Sequence, residues 1–304
     1  MKDQNAFKIM KEITRDVMAA IESGSLEKWV KPWQLFGFPK NVCTSKEYGI
    51  FNSFHLTKSL VDCRFSYSTW GTIKQWNSLN YQIKEGEISK AAVLFPMNIQ
   101  IPVKSKKKRK QEESDKEPVR YKSYLAFKAY PVYNIEQANV KESDYPFFVT
   151  EVHSKGLDRI DAFVNAIEHN VGDSWSNKAA YVIGSDSIIM PPKEHFRRQD
   201  DYWSTYLHEL GHWTGAKHRL NRNLQMDESS YAFEELVAEL CSAIFAGEFG
   251  LSGQLQHKQY IQSWIELIEK NPRIILKAGR LAMEAVDYLK VEASKAEWTE
   301  KRIK

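Results

Sequence analysis

Residues 202 to 220 read Tyr-Trp-Ser-Thr-Tyr-Leu-His-Glu-Leu-Gly-His-Trp-Thr-Gly-Ala-Lys-His-Arg-Leu, and the segment His208-Glu209-Leu210-Gly211-His212 inside them decides the reading of the chain. Trp203, Leu207 and Leu210 recur at i, i+4 and i+7, so the stretch is expected to be a helix. Asp200-Asp201 offers an N-cap, and Gly215 offers a stop. Two histidines four apart on a helix stack their imidazoles on one face, where both reach a single ion at about 2.0 to 2.1 Å. Glu209, one residue round the helix, is then placed to hold an attacking water and take its proton, while a zinc ion polarises the carbonyl under attack.

A catalytic zinc usually takes three protein ligands and keeps one position open. Two residues compete for the third place. His218 completes the pattern H-E-x-x-H-x-x-G-x-x-H, with Gly215 turning the chain back towards the ion. Glu235 lies in Tyr231-Ala-Phe-Glu-Glu-Leu-Val-Ala-Glu239 on the next helix, where Glu235 and Glu239 share a face. There Glu235 can ligate the ion while Glu239 orients a ligating histidine. Leu236, Val237, Leu240 and Ile244 would bury this helix and draw its carboxylates inward, whereas Glu234 points along another face and is the weaker choice.

Around this core the pattern predicts a helix from Asp158 to His169 and a short strand pair, Tyr181 to Gly184 and Ser187 to Met190. Further helices are expected over about 231 to 249, 254 to 270 and 272 to 293. A boundary is expected between Asp144 and Lys155, which divides the chain into residues 1–148 and 149–304. In the first part, a helix within Met1 to Gly24 carries Ile9, Ile13, Val17, Ala20 and Ile21 on one stripe. Ala91 to Phe95, ending at Pro96, reads as a buried strand, and Tyr121 to Val132 as another. Lys104 to Pro118 has no apolar residue and is expected to be a disordered, charged loop within the first domain.

The net charge of +4 is unevenly spread. Residues 1 to 150 hold 24 Lys+Arg against 16 Asp+Glu, which leaves 19 against 23 for the remainder, so only the N-terminal half would attract a polyanion over distance. Three scattered cysteines without a C-x-x-C pair argue against a disulfide framework. No signal-peptide pattern and no apolar run of about 20 residues are present, so a cytoplasmic protein with no membrane contact is expected.

Taken in chain order, several short pieces carry a resemblance. They are Trp29-Val-Lys-Pro-Trp33, Tyr48-Gly-Ile-Phe-Asn52, Trp70-Gly-Thr-Ile-Lys-Gln-Trp76, Lys84-Glu-Gly-Glu87 and Val132-Tyr-Asn-Ile-Glu-Gln137 in the first part. In the second they are Asp186-Ser-Ile-Ile-Met-Pro191, His208 to Gly215, Arg219-Leu-Asn-Arg222 and Tyr231 to Leu240. Together they resemble the ArdC-type antirestriction proteins of mobile elements. The resemblance implies an α+β chain of two domains, an N-terminal mixed α/β DNA-binding domain and a C-terminal zincin-like metallopeptidase domain, in a bacterial cytoplasm.

It also implies Zn2+ at His208, His212 and a third ligand, with Glu209 as the base. Such proteins favour the glutamate helix, hence Glu235, although Ala216 replaces a histidine often found after the glycine and keeps His218 open. Single-stranded DNA is the partner implied for the first domain, and a DNA-bound protein is the substrate class that would follow. Phosphates need Lys or Arg and unstacked bases need exposed rings, so Lys31, Trp33, Tyr48, Asn52, Trp70, Lys74, Gln75 and Trp76 are the expected DNA contacts. The competing expectation is a DNA-binding protein whose zinc site is structural or dormant.

Overall fold

The computed structural model describes residues 2–102, 121–148, 156–173, 178–222, 224, 228–255 and 258–303. The expected charged loop at 104–118 lies outside the described residues, as does most of the expected boundary. The N-terminal part runs α1 (Lys2–Glu22), α2 (Glu27–Phe36), β1 (Lys40–Asn41), α3 (Ile50–Cys63), β2 (Thr69–Gly71), α4 (Ile73–Ser78), β3 (Ala91–Pro102), β4 (Tyr121–Asn134) and α5 (Tyr145–Phe148). The C-terminal part continues with α6 (Leu157–Asn165), β5 (Asn170–Asp173), β6 (Ala180–Val182), β7 (Ser187–Met190), α7 (Gln199–Thr214), α8 (Glu228–Phe249), α9 (Ile261–Lys270) and α10 (Arg273–Ile303). Helices and two separate sheets give the α+β, two-domain architecture.

The first sheet has the order β1-β2-β4-β3, and the long antiparallel pair runs in register from Ala91↔Val132 to Pro102↔Tyr121. β3 therefore does not stop at Pro96. It is an edge strand, where the missing N–H of a proline leaves no ladder bond unmade, so the strand passes through Pro96 to Pro102. The second sheet has the order β5-β7-β6, with β5 parallel and β6 antiparallel to β7.

Trp29-Val-Lys-Pro-Trp33 is helical in spite of Pro32, which falls in the second turn of α2. The α1 stripe Ile9, Ile13, Val17, Ala20 and Ile21 is buried as its spacing requires. The middle of α8 is buried on all sides: Leu236, Val237, Ala238, Leu240, Cys241 and Phe245 are all inside, with α2, α7, α9 and α10 against the helix. Each large side chain of this kind contributes roughly 1.5–3 kcal/mol relative to exposure. Every residue from Glu234 to Gly247 is buried, so the carboxylates at Glu234, Glu235 and Glu239 must be paired in the interior.

α7 begins at Gln199, with Arg198 at the cap, so Asp200 and Asp201 sit inside the first turn, where they favour the positive end of the helix dipole. Gly211 lies where α7 crosses α8. A Cβ there would meet the Ala238 Cα at 3.2 Å, so the absence of a side chain sets how closely the two helices approach.

Candidate metal centre

α7 supplies His208, Glu209 and His212, and the enclosed middle of α8 supplies Glu234, Glu235 and Glu239. The Nε2 atoms of His208 and His212 are 3.1 Å apart. Glu235 spans them, with Oε2 3.3 Å from His208 Nε2 and Oε1 3.5 Å from His212 Nε2. Two nitrogens at about 2.0 to 2.1 Å from one tetrahedral ion lie about 3.3 Å apart, so this spacing fits a single small divalent cation. The donor set fits as well, since among the described residues these three form the one group of His, Cys, Asp or Glu atoms, all within 4.8 Å, able to share an ion. Glu235 Oε2 has no hydrogen-bond donor beyond this triangle.

Each histidine is steadied from behind. Glu239 Oε2 lies 3.1 Å from His208 Nδ1, and Glu234 Oε1 lies 3.4 Å from His212 Nδ1. Glu234 is in turn gripped by Arg222, whose Nε and Nη2 donate to both of its carboxylate oxygens at 2.8 to 3.1 Å. Arg222 also donates to Thr214 Oγ1 and to the Gly211 carbonyl, which ties the end of α7 to the same ion pair. Gly215 makes room for it, because a Cβ there would lie 2.9 Å from Arg222 Nη2.

Burial alone would lower the basicity of both imidazoles, but the carboxylates outweigh it. Glu235 and Glu239 push His208 up to about 10, and Glu234 and Glu235 push His212 up to about 9. For Glu235 burial works upward, yet the two histidines hold it well below the usual carboxylate range. The cluster thus carries anionic carboxylates around two basic nitrogens, a field that favours a cation.

Glu209 is buried, and its Oε2 accepts a 2.7 Å bond from the backbone N–H of Tyr181 on β6. Tyr181 and Ala180 of that strand, with His208, His212, Glu235 and Tyr231, line a cleft of about 610 Å3. β6 is the outer strand of its sheet, and the Tyr181 amide is directed at α7 and away from β7. The Tyr181 hydroxyl donates to Asp186, and burial together with that carboxylate pushes it up to about 12.

His218 is not part of this arrangement. Gly215 has φ −76°, so it makes no left-handed turn back towards the histidines. His218 is 63% exposed and pairs with Asp186 Oδ2 at 3.3 Å. Its neighbour Arg219 bonds Asp186 and lies over the Trp213 ring at 3.7 Å, which fixes the segment on the β6–β7 side. From the sequence Glu234 is expected to point along another face, whereas it is buried against His212 Nδ1, and Arg222 has no expected role at the site. The spacing Arg219-Leu-Asn-Arg222 before a glutamate-rich helix carried the signal, but only burial shows that one arginine must neutralise one of three clustered glutamates.

The expected DNA contacts fare differently. Trp33 is 2% exposed, and Trp70 and Trp76 are fully buried, so none presents a face to a base. Trp33 Nε1 donates to Thr57 and Trp76 Nε1 to the Tyr133 carbonyl, as core residues do. Asn52 bonds both backbone groups of Leu94, Gln75 closes the capping box of α4 with Thr72, and Tyr48 bonds Asn41. These are fold-holding roles. Lys74 is exposed, and Lys31 is exposed and paired with Glu27 at 2.7 Å, so these two alone of the eight offer charge to a phosphate.

A helix bearing H-E-x-x-H, crossed by a carboxylate-bearing helix and flanked by an outer strand, defines the zincin class of metallopeptidase fold. Residues 158–281 match the zincin-like metallopeptidase family, and residues 7–133 match the N-terminal domain of the anti-restriction factor ArdC. The chain is an ArdC-type protein with both of that type's domains.

It is similar to the antirestriction protein ArdC of plasmid R388, with TM-score 0.68 and 28% identity over 94% of this chain and 98% of that one. An Mn(II)-bound structure of the same protein aligns with TM-score 0.67 and 29% identity over 93% and 97%. The protein y4eC of Sinorhizobium fredii, itself uncharacterized, is 29% identical over 97% of this chain and 95% of its own length. The DNA primase TraC of Escherichia coli is 30% identical over 86% of this chain, which spans 18% of that protein.

Proposed function

We propose that this chain is a single-stranded DNA-binding antirestriction protein that carries a divalent-metal peptidase site, divided near residue 148, and that it protects incoming mobile-element DNA in a bacterial cytoplasm. The observation that carries the enzymatic half is the triangle of His208, His212 and Glu235 donors at 3.1 to 3.5 Å, with Glu209 beside it in an open cleft. His208, His212 and Glu235 would hold the ion, and its solution in the R388 relative with Mn(II) supports a divalent cation, with Zn2+ the choice that the imidazole and carboxylate donors favour. When bound, such an ion supplies Lewis-acid polarisation of a carbonyl and a lowered pKa for attacking water.

The chain's own residues provide the rest. Glu209 takes the proton from water, held in place by the Tyr181 amide. The cleft beside the outer strand β6 is open to an extended polypeptide, which supports a peptide substrate, and a DNA-bound protein is the class that the first domain would deliver. Glu239, and Glu234 through Arg222, hold the imidazoles in orientation. Glu209→Gln is expected to keep metal binding and lower cleavage of any accepted substrate by about 10²–10⁴-fold. Metal analysis and a cleavage assay on the same preparation test this, and unchanged cleavage would sink the role of Glu209.

One contact favours a second reading. Glu239 at His208 Nδ1, with both side chains buried, ties the ligand helix into the core, an arrangement that also suits a dormant or structural site. A plasmid-transfer assay into a restricting host separates the two: the Glu209 variant loses protection if the peptidase acts and keeps it if DNA occupancy suffices. Titration of labelled single strands at two salt concentrations tests DNA binding itself.

A further inference from the structure

The hairpin of β3 and β4 extends past the body of the N-terminal domain. Ala91 to Leu94 are buried, whereas the strand from Phe95 to Pro102 is exposed throughout. Side chains opposite one another in an antiparallel pair share a face. One face of the arm therefore carries Phe95, Met97, Ile99 and Ile101, with Lys128, Ala126 and Lys122 of β4 opposite three of them. The first four are 40 to 60% exposed. Towards the base of this face Phe95 meets Tyr130 edge to face at 6.4 Å, and Lys128 Nζ stands 4.8 Å over the Tyr130 ring. The opposite face of β3 is polar or proline, Pro96, Asn98, Gln100 and Pro102. An alternation this regular is the pattern of a strand with one covered face, yet among the described residues nothing covers it.

We propose that this ribbon is the surface on which single-stranded DNA lies, an inference that rests on the DNA-binding reading above and replaces the buried tryptophans as its location. The two strands hold Lys122 and Lys128 and no Asp or Glu, and residues 103–120 between them hold eight Lys+Arg against four Asp+Glu. A polyanion with apolar, stackable bases complements a face of rings, aliphatic chains and lysines; a duplex hides its bases and gains nothing from the apolar stripe. A second copy of the chain would bring lysines against lysines.

The test is fluorescence anisotropy of a labelled 20-nucleotide oligo(dT) with the full chain. The double variant Lys122→Glu, Lys128→Glu is expected to bind at least about tenfold more weakly, with the slope of log K against log salt flattened by roughly 1.4. Phe95→Ala is expected to lose about fivefold or more, and Phe95→Trp to retain binding. A duplex of equal length should compete at least about tenfold less well. Ribbon variants that bind like the wild type overturn this location and leave DNA binding intact. Wild-type protein without salt-dependent binding overturns both. Ribbon variants that keep DNA affinity but turn a dimer into a monomer by light scattering assign the face to a second copy instead.

Discussion

His212 is held from two directions, by Glu235 at Nε2 and by Glu234 at Nδ1, and the second contact depends on an arginine that touches neither imidazole. Arg222 and Glu234 are both buried, and burial would lift Glu234 were His212 and Arg222 not holding it below its ordinary value. Removing one partner strands the other charge in the interior, so Arg222→Met is expected to destabilise the fold by roughly 3–5 kcal/mol in denaturant unfolding. Glu234→Gln retains the shape and a hydrogen-bond acceptor but weakens the hold on His212. Its metal affinity, measured by chelator competition, should fall by about 10–100-fold, and because the buried Arg222 then lacks a carboxylate partner, stability should fall as well.

At the level of elements, the site is made by two helices meeting at a glycine. Gly211→Ala improves the helix propensity of α7 by about 1 kcal/mol. It also presses a methyl group onto the Ala238 backbone, an overpacking that costs roughly 1–3 kcal/mol. Stability should therefore change little or fall modestly, while metal affinity falls clearly, because Glu235 on α8 can no longer reach both histidines on α7; parallel thermal melts and metal titrations check this.

The β6–β7 turn is pinned separately, by Asp186 to Arg219. Asp186 adopts φ 48°, a left-handed conformation that Asn also tolerates, so Asp186→Asn removes charge without backbone strain. The Arg219 guanidinium holds the Asp186 carboxyl below its ordinary 3.8. A carboxylate more acidic in the folded state than in the unfolded contributes stability above pH 3.8, and loses it as pH falls through its folded value. Asp186→Asn is thus expected to lower Tm by a few degrees at pH 7, with the difference from the wild type narrowing below pH 3.8.

For the whole molecule, the two families meet in one core. The largest buried cluster joins Ile13, Val17, Trp29 and Trp33 of α1 and α2 to Leu240, Phe245 and Ala246 of α8 and to Ala282 and Val286 of α10. Trp33 packs on Gly247, where a Cβ would lie 3.1 Å from it. Backbone bonds cross as well, from Leu26 N–H to the Gly253 carbonyl at 2.7 Å and from Leu255 N–H to the Gly24 carbonyl at 3.0 Å. Trp33→Ala is expected to cost about 3–5 kcal/mol. Near-ultraviolet signals of the N-terminal part and metal release from the C-terminal site should then shift to lower temperature together; separate transitions would show that the two parts unfold independently.

Local spacing determined much of this by itself. Two imidazoles four residues apart on a helix must share a face, and the pair Glu235 and Glu239 must do the same, because helical geometry alone enforces both. The α1 stripe and the β6–β7 pair were legible for the same reason, whereas α8 and α9 start at Glu228 and Ile261 rather than at about 231 and 254. Contacts between segments distant in sequence decided the rest: Glu235 over His218 beside the histidines, Glu234 with Arg222 behind them, Pro96 at a sheet edge, and three tryptophans turned into cores that a basic, aromatic-rich sequence had suggested were exposed. Residue type sets what a side chain can do, but its burial and its partners are properties of how distant segments meet, and no local period encodes them.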